Sequence, residues 1–209
     1  MTSSAPASHR VPLSAPLILA SASPRRRRLL ERIGVSCDVR PVDVDEAVIE
    51  GETPEQYVLR VARLKLEAAL ARVEDDPSKP FVLSGDTSVI VDGVVLGKPT
   101  SAKQSGELIR TLSARSHQVH SAVALGREGR VLGVRSAQTE VVFRRVTAEE
   151  IDRYVATGEG MDKAGGYALQ GLAGAFVERI EGAYGTVVGL PLLETLELLR
   201  AHGVVGAWP

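Results

Sequence analysis

The sequence predicts an α/β fold, a mixed sheet carrying helices on its faces, and three observations lead there. Short apolar runs of strand character alternate with segments of helical periodicity along most of the chain. One pair of runs flanks Asp92-Gly93, a two-residue hairpin signal, and so requires an antiparallel step in the sheet. With 209 residues, 44% hydrophobic and 24% charged, the chain can build one substantial core, or one domain with two lobes around a cleft.

The first sixteen residues, MTSSAPASHRVPLSAP, are rich in Ser, Ala and Pro without periodicity, and read as a disordered extension ahead of a folded domain at 17–209. They lack the apolar stretch of a secretory signal, and prolines interrupt any amphipathic targeting helix, so a cytoplasmic protein is expected. LILA, from Leu17, is a buried strand. SASPRRRRLLERIG then forms a helix: Ser23 caps it, Pro24 suits its first position, and Gly34 suits a left-handed exit. Its core face is Leu29, Leu30 and Ile33. A second helix opens on the capping box Thr53-Pro54-Glu55-Gln56 and runs to about Arg72. Phe81 to Ser84 is a short buried strand, followed by the Asp92-Gly93 hairpin, and a polar helix covers Ala102 to Leu112. Strands from about Val119 to Leu125 and Val131 to Phe143 meet around Gly126–Gly129. Thr147 to Glu150 is a second capping box, opening a helix that stops at Gly158. After a glycine-rich loop GAFVERIEG is a strand, and the last helix starts near Pro191.

Composition excludes several function classes. A net charge of −1 argues against wholesale binding to nucleic acid or to anionic membrane, and 4% aromatic residues supply few stacking platforms. The single Cys37 permits no internal disulfide and, beside Val35 and Val39, reads as core filler. No apolar run approaches the length of a membrane span.

Four features resist a purely structural reading. Arg25 to Arg28 sit on the opening turns of a helix, where the helix dipole already disfavours cations. Either an anion rests above Ser21-Ala22-Ser23, or the run is a solvated face. Lys65 falls inside the apolar stripe of Tyr57, Val58, Val61, Ala62, Ala68 and Ala69, so its ammonium must snorkel out or meet an anion. In SGDTSVIV, Asp86 lies just past a buried strand, where α/β sheets place ligand-handling residues, with Thr87 beside it and Lys98 returning after the hairpin. Glu46 in VDVDEAV could add a second metal-binding carboxylate, as could Asp43 or Asp45. In KAGGYALQG, paired glycines permit close approach of a ligand, and Gln170 offers both a donor and an acceptor. Each of these also has a plain loop or surface explanation.

Taken together, the segments LASASPRR (19–26), VDVDE (42–46), YVLRVARLK (57–65), SGDT (84–87), LGKP (96–99), KAGGYALQG (163–171) and VVGLPL (187–192) resemble the Maf family of nucleotide pyrophosphatases. The resemblance implies two lobes around a central cleft, similar to the inosine-triphosphate pyrophosphatases. It implies hydrolysis of a nucleoside triphosphate to the monophosphate and pyrophosphate with magnesium or manganese. Ser21, Arg25 and Arg26 match the family's phosphate-binding segment; Glu46, Lys65, Asp86 and Lys98 match its polar cleft residues, Asp86 as proton acceptor. Arg25, Thr87 and Gln170 match the positions tied to substrate choice and are similar to the dTTP/UTP branch. Ala114 and Thr186 depart from the family's glycine and asparagine.

The expected mechanism holds a metal between Asp86 and Glu46, with Arg26, Lys65 and Lys98 neutralising the leaving pyrophosphate and Arg25 shared with base selection. The expected partner is a nucleoside triphosphate, normal or modified, with no nucleic acid and no membrane; assembly is left open, a homodimer included. The rivals are 7-methyl-GTP or broad triphosphate hydrolysis, and a non-enzymatic nucleotide-binding regulator of cell division.

Overall fold

The computed structural model describes residues 10–208. Seven strands form one mixed sheet: β1 (Leu17–Leu19), β2 (Asp38–Val39), β3 (Phe81–Val91), β4 (Val94–Leu96), β5 (Ser116–Arg127), β6 (Arg130–Phe143) and β7 (Val177–Glu181). Their order is β2-β1-β3-β5-β6-β7, with β4 folded back onto β3. β1 runs parallel to β2 and β3, and the other pairings are antiparallel. The helices are α1 (Pro24–Arg32), α2 (Pro54–Arg72), α3 (Ala102–Leu112), α4 (Ala148–Ala156), α5 (Tyr184–Val188) and α6 (Leu192–Ala201).

Two-residue alternation along the strands sorts the core. At one end of the sheet, Leu17, Leu19, Phe81, Leu83, Val123 and Leu125 face α1 and α6 through Leu29, Leu30, Leu198 and Leu199. Ile18, Val82, Ala122 and Ala124 point the other way, under Val58, Val61, Ala62 and Leu66 of α2. At the far end Val89, Val91, Val119, Val141 and Phe143 are covered by Ile109, Leu112, Ile151 and Tyr154 of α3 and α4. These are the two lobes. β3 crosses both, and its polar Asp86, Thr87 and Ser88 fall where the apolar clusters part.

Local chemistry explains the elements. Ser23 caps α1 with Pro24 in its first turn, and Thr53–Gln56 and Thr147–Glu150 form the expected capping boxes of α2 and α4. Asp92 and Gly93 both take positive φ (51° and 76°), the conformation of a type I′ hairpin, and Glu128 and Gly129 repeat it (49° and 72°). Ala114 also has positive φ (56°), which explains a family glycine there and costs this chain about 1 kcal/mol.

The structure corrects three expectations. Residues 10–16 are not a loose tail: Val11 is buried, its N–H donates to the Gly34 carbonyl (2.9 Å), and Leu13 bridges Val205. Apolar residues at alternate positions give this stretch a strand-like inner face. The rest of the expected extension, His9 included, lies outside the described residues. The strand expected at Phe81–Ser84 and the one before the hairpin are a single strand, so Asp86 sits mid-strand rather than beyond its end. Its pairing with β5 continues unbroken through Gly85, where any Cβ would meet the Ala122 carbonyl at 2.9 Å. The GAFVERIEG strand is shorter than expected, since Leu172–Phe176 form a 3-10 turn before β7.

Candidate active site

The lobes enclose a cleft of about 530 Å³, lined by every residue that the family resemblance placed in the site: Ser21, Arg25, Arg26, Glu46, Lys65, Asp86, Thr87, Lys98 and Gln170. At its floor the Lys65 ammonium lies 2.7 Å from Glu46 Oε1 and 2.7 Å from Asp86 Oδ1. Asp86 and Lys65 are largely shielded, with side chains 8% and 12% exposed, whereas the Glu46 side chain is 36% exposed. Of the two outcomes its stripe allowed, Lys65 thus meets an anion, and meets two. Tyr57 supports this group by donating its hydroxyl to the Glu46 carbonyl (3.0 Å). Burial, reinforced by the charges of Asp86 and Glu46, raises that phenol to a pKa of about 12, so it stays a donor.

The arginine run divides. Arg27 is exposed and pairs with Glu31 one helical turn on, and Arg28 is exposed. Arg25 lines the cleft. Arg26 turns inward and donates to the Gly189 carbonyl (2.8 Å), Ser21 Oγ (2.9 Å) and Thr87 Oγ1 (3.0 Å). Burial lowers its pKa, with Asp86 acting the other way. Ser121 donates its one proton to the Thr186 carbonyl (2.7 Å), so its 2.8 Å contact with Thr87 makes Thr87 the donor. A directed chain from Arg26 through Thr87 and Ser121 to the Thr186 carbonyl thus ties α1, β3, β5 and α5 together. It also shows that Arg26 and Thr87 already have partners in the free protein.

At the opposite end, Lys98 and Gln170 are exposed. The Gln170 amide donates to the Tyr184 hydroxyl (2.8 Å). Asp162 lines the wall and is held below the usual carboxylate range by its hydrogen bond from Lys163. Lys163 also donates to the Glu159 carbonyl (2.8 Å).

Asp86 and Glu46 supply oxygen donors, and Asp43 also lines the cleft, whereas Asp45 turns back to accept from the Ala47 N–H (2.9 Å). Among the described residues no group of three or more His, Cys, Asp or Glu side chains gathers to hold a metal unaided. Two carboxylates beside an open cleft fit magnesium or manganese, which take one or two protein carboxylates and complete their shell with phosphate and water.

The Maf-like protein family model matches residues 16–202. The chain belongs to this family. A relative named dTTP/UTP pyrophosphatase from Anaeromyxobacter dehalogenans (strain 2CP-C) is 48% identical over 195 residues, covering 92% of this chain and 96% of its own. One of the same name from Methylobacillus flagellatus is 46% identical, covering 90% and 93%. Among solved structures, a nucleoside-triphosphatase / dITP/XTP pyrophosphatase from Mycobacterium abscessus aligns over 91% of this chain and 100% of its own, with 19% identity and a TM-score of 0.41.

Within this Maf-like cleft, sequence reasoning missed Tyr57, Ser121, Asp162 and Tyr184. Tyr57 was legible only as a core residue, and Ser121 had no motif around it. Tyr184 opens the short helix α5, whose five residues carry too little periodicity to be read. At the Thr186 departure the backbone carbonyl ends the Arg26 chain, as that of any residue could, while the buried hydroxyl has no partner among the described residues. His117 is buried against Tyr167, and burial depresses its pKa to about 4. Cys37, half-buried against the core, has its thiol pushed up to about 11 by burial and is not a thiolate nucleophile.

Proposed function

We propose that this protein hydrolyses nucleoside triphosphates, dTTP and UTP foremost, to the monophosphate and pyrophosphate. The observation that carries this reading is the Glu46–Lys65–Asp86 group on the floor of a cleft whose rim bears Arg25 and Lys98. Carboxylates beside a phosphate site weaken phosphate binding unless a cation intervenes, so a passive nucleotide binder would gain nothing from them. The name shared by relatives at 46–48% identity supports the same substrate class.

In the mechanism, Asp86 accepts the proton of the water that attacks the α-phosphate; its Oδ1 holds Lys65 until the phosphates take that ammonium over. A divalent ion held by Asp86 and Glu46 would supply charge neutralisation at the phosphoryl oxygens. Lys65, Lys98 and Arg25 neutralise the departing pyrophosphate. Arg26 acts first as a positioning residue, holding the Ser21 loop and Thr87 in place, with its remaining N–H groups available to phosphate. Gln170 reads the pyrimidine edge, donating to a carbonyl and accepting from N3–H. Thr87, its hydroxyl engaged with Arg26 and Ser121, selects by being small.

The test is pyrophosphate release by the wild-type protein from dTTP, UTP, CTP, 7-methyl-GTP and modified pyrimidine triphosphates. The reading expects dTTP and UTP to lead in kcat/KM. Preference for 7-methyl-GTP, equal rates for all, or nucleotide binding without turnover would each replace it with the corresponding rival.

A further inference from the structure

We propose that Lys65 is a built-in occupant of the metal position, so that the divalent ion enters together with its nucleotide rather than ahead of it. This rests on the pyrophosphatase reading for the identity of the ligand, but its physical basis lies in the free protein alone. The Lys65 ammonium is within 2.7 Å of both carboxylates that offer themselves to a metal. A cation already placed there offsets one of their two charges and takes one oxygen from each. A divalent ion arriving without nucleotide must displace that ammonium from both carboxylates into the cleft that Lys65 lines, exchanging two ion pairs for water. An ion arriving on a triphosphate brings the partner with it, because the phosphates accept the ammonium as the carboxylates release it. The exchange conserves ion pairing at every stage, whereas metal loading in advance does not.

Three features of the structure agree. Lys65 stands on α2, a nineteen-residue helix capped at its N-terminus by the Thr53–Gln56 box, so its backbone is fixed and only the side chain need move. Glu46 lies in a loop, its side chain 36% exposed, so one of the two carboxylates is open to the cleft while Asp86 stays shielded. No third His, Cys, Asp or Glu joins the pair among the described residues to outcompete the lysine.

The experiment measures Mn²⁺ binding to the nucleotide-free full chain by the loss of free-ion paramagnetic resonance signal. Wild type should bind weakly. Lys65→Met should bind on the order of tenfold more tightly or better, because one unit of opposing charge has gone from within contact distance of the site. Lys65→Gln, neutral but still a hydrogen-bond donor to the carboxylates, should show the same direction and serves if the Met variant does not fold. Mn²⁺ should raise the thermal midpoint of either variant and leave that of wild type little changed. Adding Glu46→Gln to the Lys65 variant should cancel the gain. Equal Mn²⁺ affinity in wild type and variants, or a gain that survives Glu46→Gln, overturns the proposal. Failure of wild type to release pyrophosphate from any triphosphate would overturn the functional reading instead, and leaves the Mn²⁺ comparison meaningful by itself.

Discussion

The two ends of the cleft are built on different principles. At the Asp86 end, each polar side chain is tied to another: Lys65 to two carboxylates, Tyr57 to the Glu46 backbone, Arg26 to Ser21, Thr87 and Gly189. At the Gln170 end, Lys98 and Gln170 are exposed, and the Gln170 amide rests on one hydrogen bond to Tyr184, itself 44% exposed. Groups that must meet developing charge gain from being fixed in advance, because their reorganisation would add to the barrier. Groups that read a base edge can be set by the ligand. On the proposed function, the same fold joins a reaction end held by many contacts, where only the Lys65 ammonium changes partners, to a more adaptable recognition end, and substitutions should behave differently at the two.

The largest effect is expected at the rigid end. Asp86→Asn keeps the side-chain shape but removes the proton acceptor, so turnover should fall at least ~10²-fold in a folded protein, measured by pyrophosphate release beside circular dichroism. Near wild-type turnover would remove Asp86 from that role. Next comes Lys65→Met, which should lower stability by roughly 2 kcal/mol in chemical denaturation, because two carboxylates lose their shared cation. The loss stays below the ~3–5 kcal/mol of a fully buried pair because Glu46 is open to water. A variant as stable as wild type would show that the pairing contributes nothing net.

At the adaptable end stability should hold and selectivity should move. Gln170→Glu removes the amide donor and should reduce kcat/KM for dTTP and UTP by about tenfold relative to CTP, a modest figure because the residue is exposed. Tyr184→Phe removes the acceptor that orients the amide and should shrink the dTTP/CTP ratio by about fivefold, the worth of one ordinary hydrogen bond. Equal losses for all substrates would make Tyr184 a packing residue and the recognition end as rigid as the other.

The sequence made the rigid end legible as residue types and left its wiring hidden. Ser21, Arg26, Lys65 and Asp86 stood out because charges or small polar groups interrupted helical or apolar patterns. That Lys65 lies between Glu46 and Asp86 depends on packing a helix, a loop and a mid-sheet strand together, which no local pattern records. The sequence required only that Lys65 snorkel out or meet an anion; the structure supplies two carboxylates, so its removal should cost stability. α1, α2, α3 and α4 were readable from caps and periodicity. α5 and the packed segment at 10–16 were not, since five to seven residues carry no decisive period and depend on tertiary contacts.

The central claim is that water attacks the α-phosphate at the Asp86 end, and product labelling tests it most directly. Wild-type protein would turn over dTTP with Mg²⁺ in ¹⁸O-enriched water, with both products analysed by mass spectrometry. The account predicts dTMP and pyrophosphate in equal amounts, with the label in dTMP. Label in pyrophosphate, or release of orthophosphate with dTDP, would contradict it.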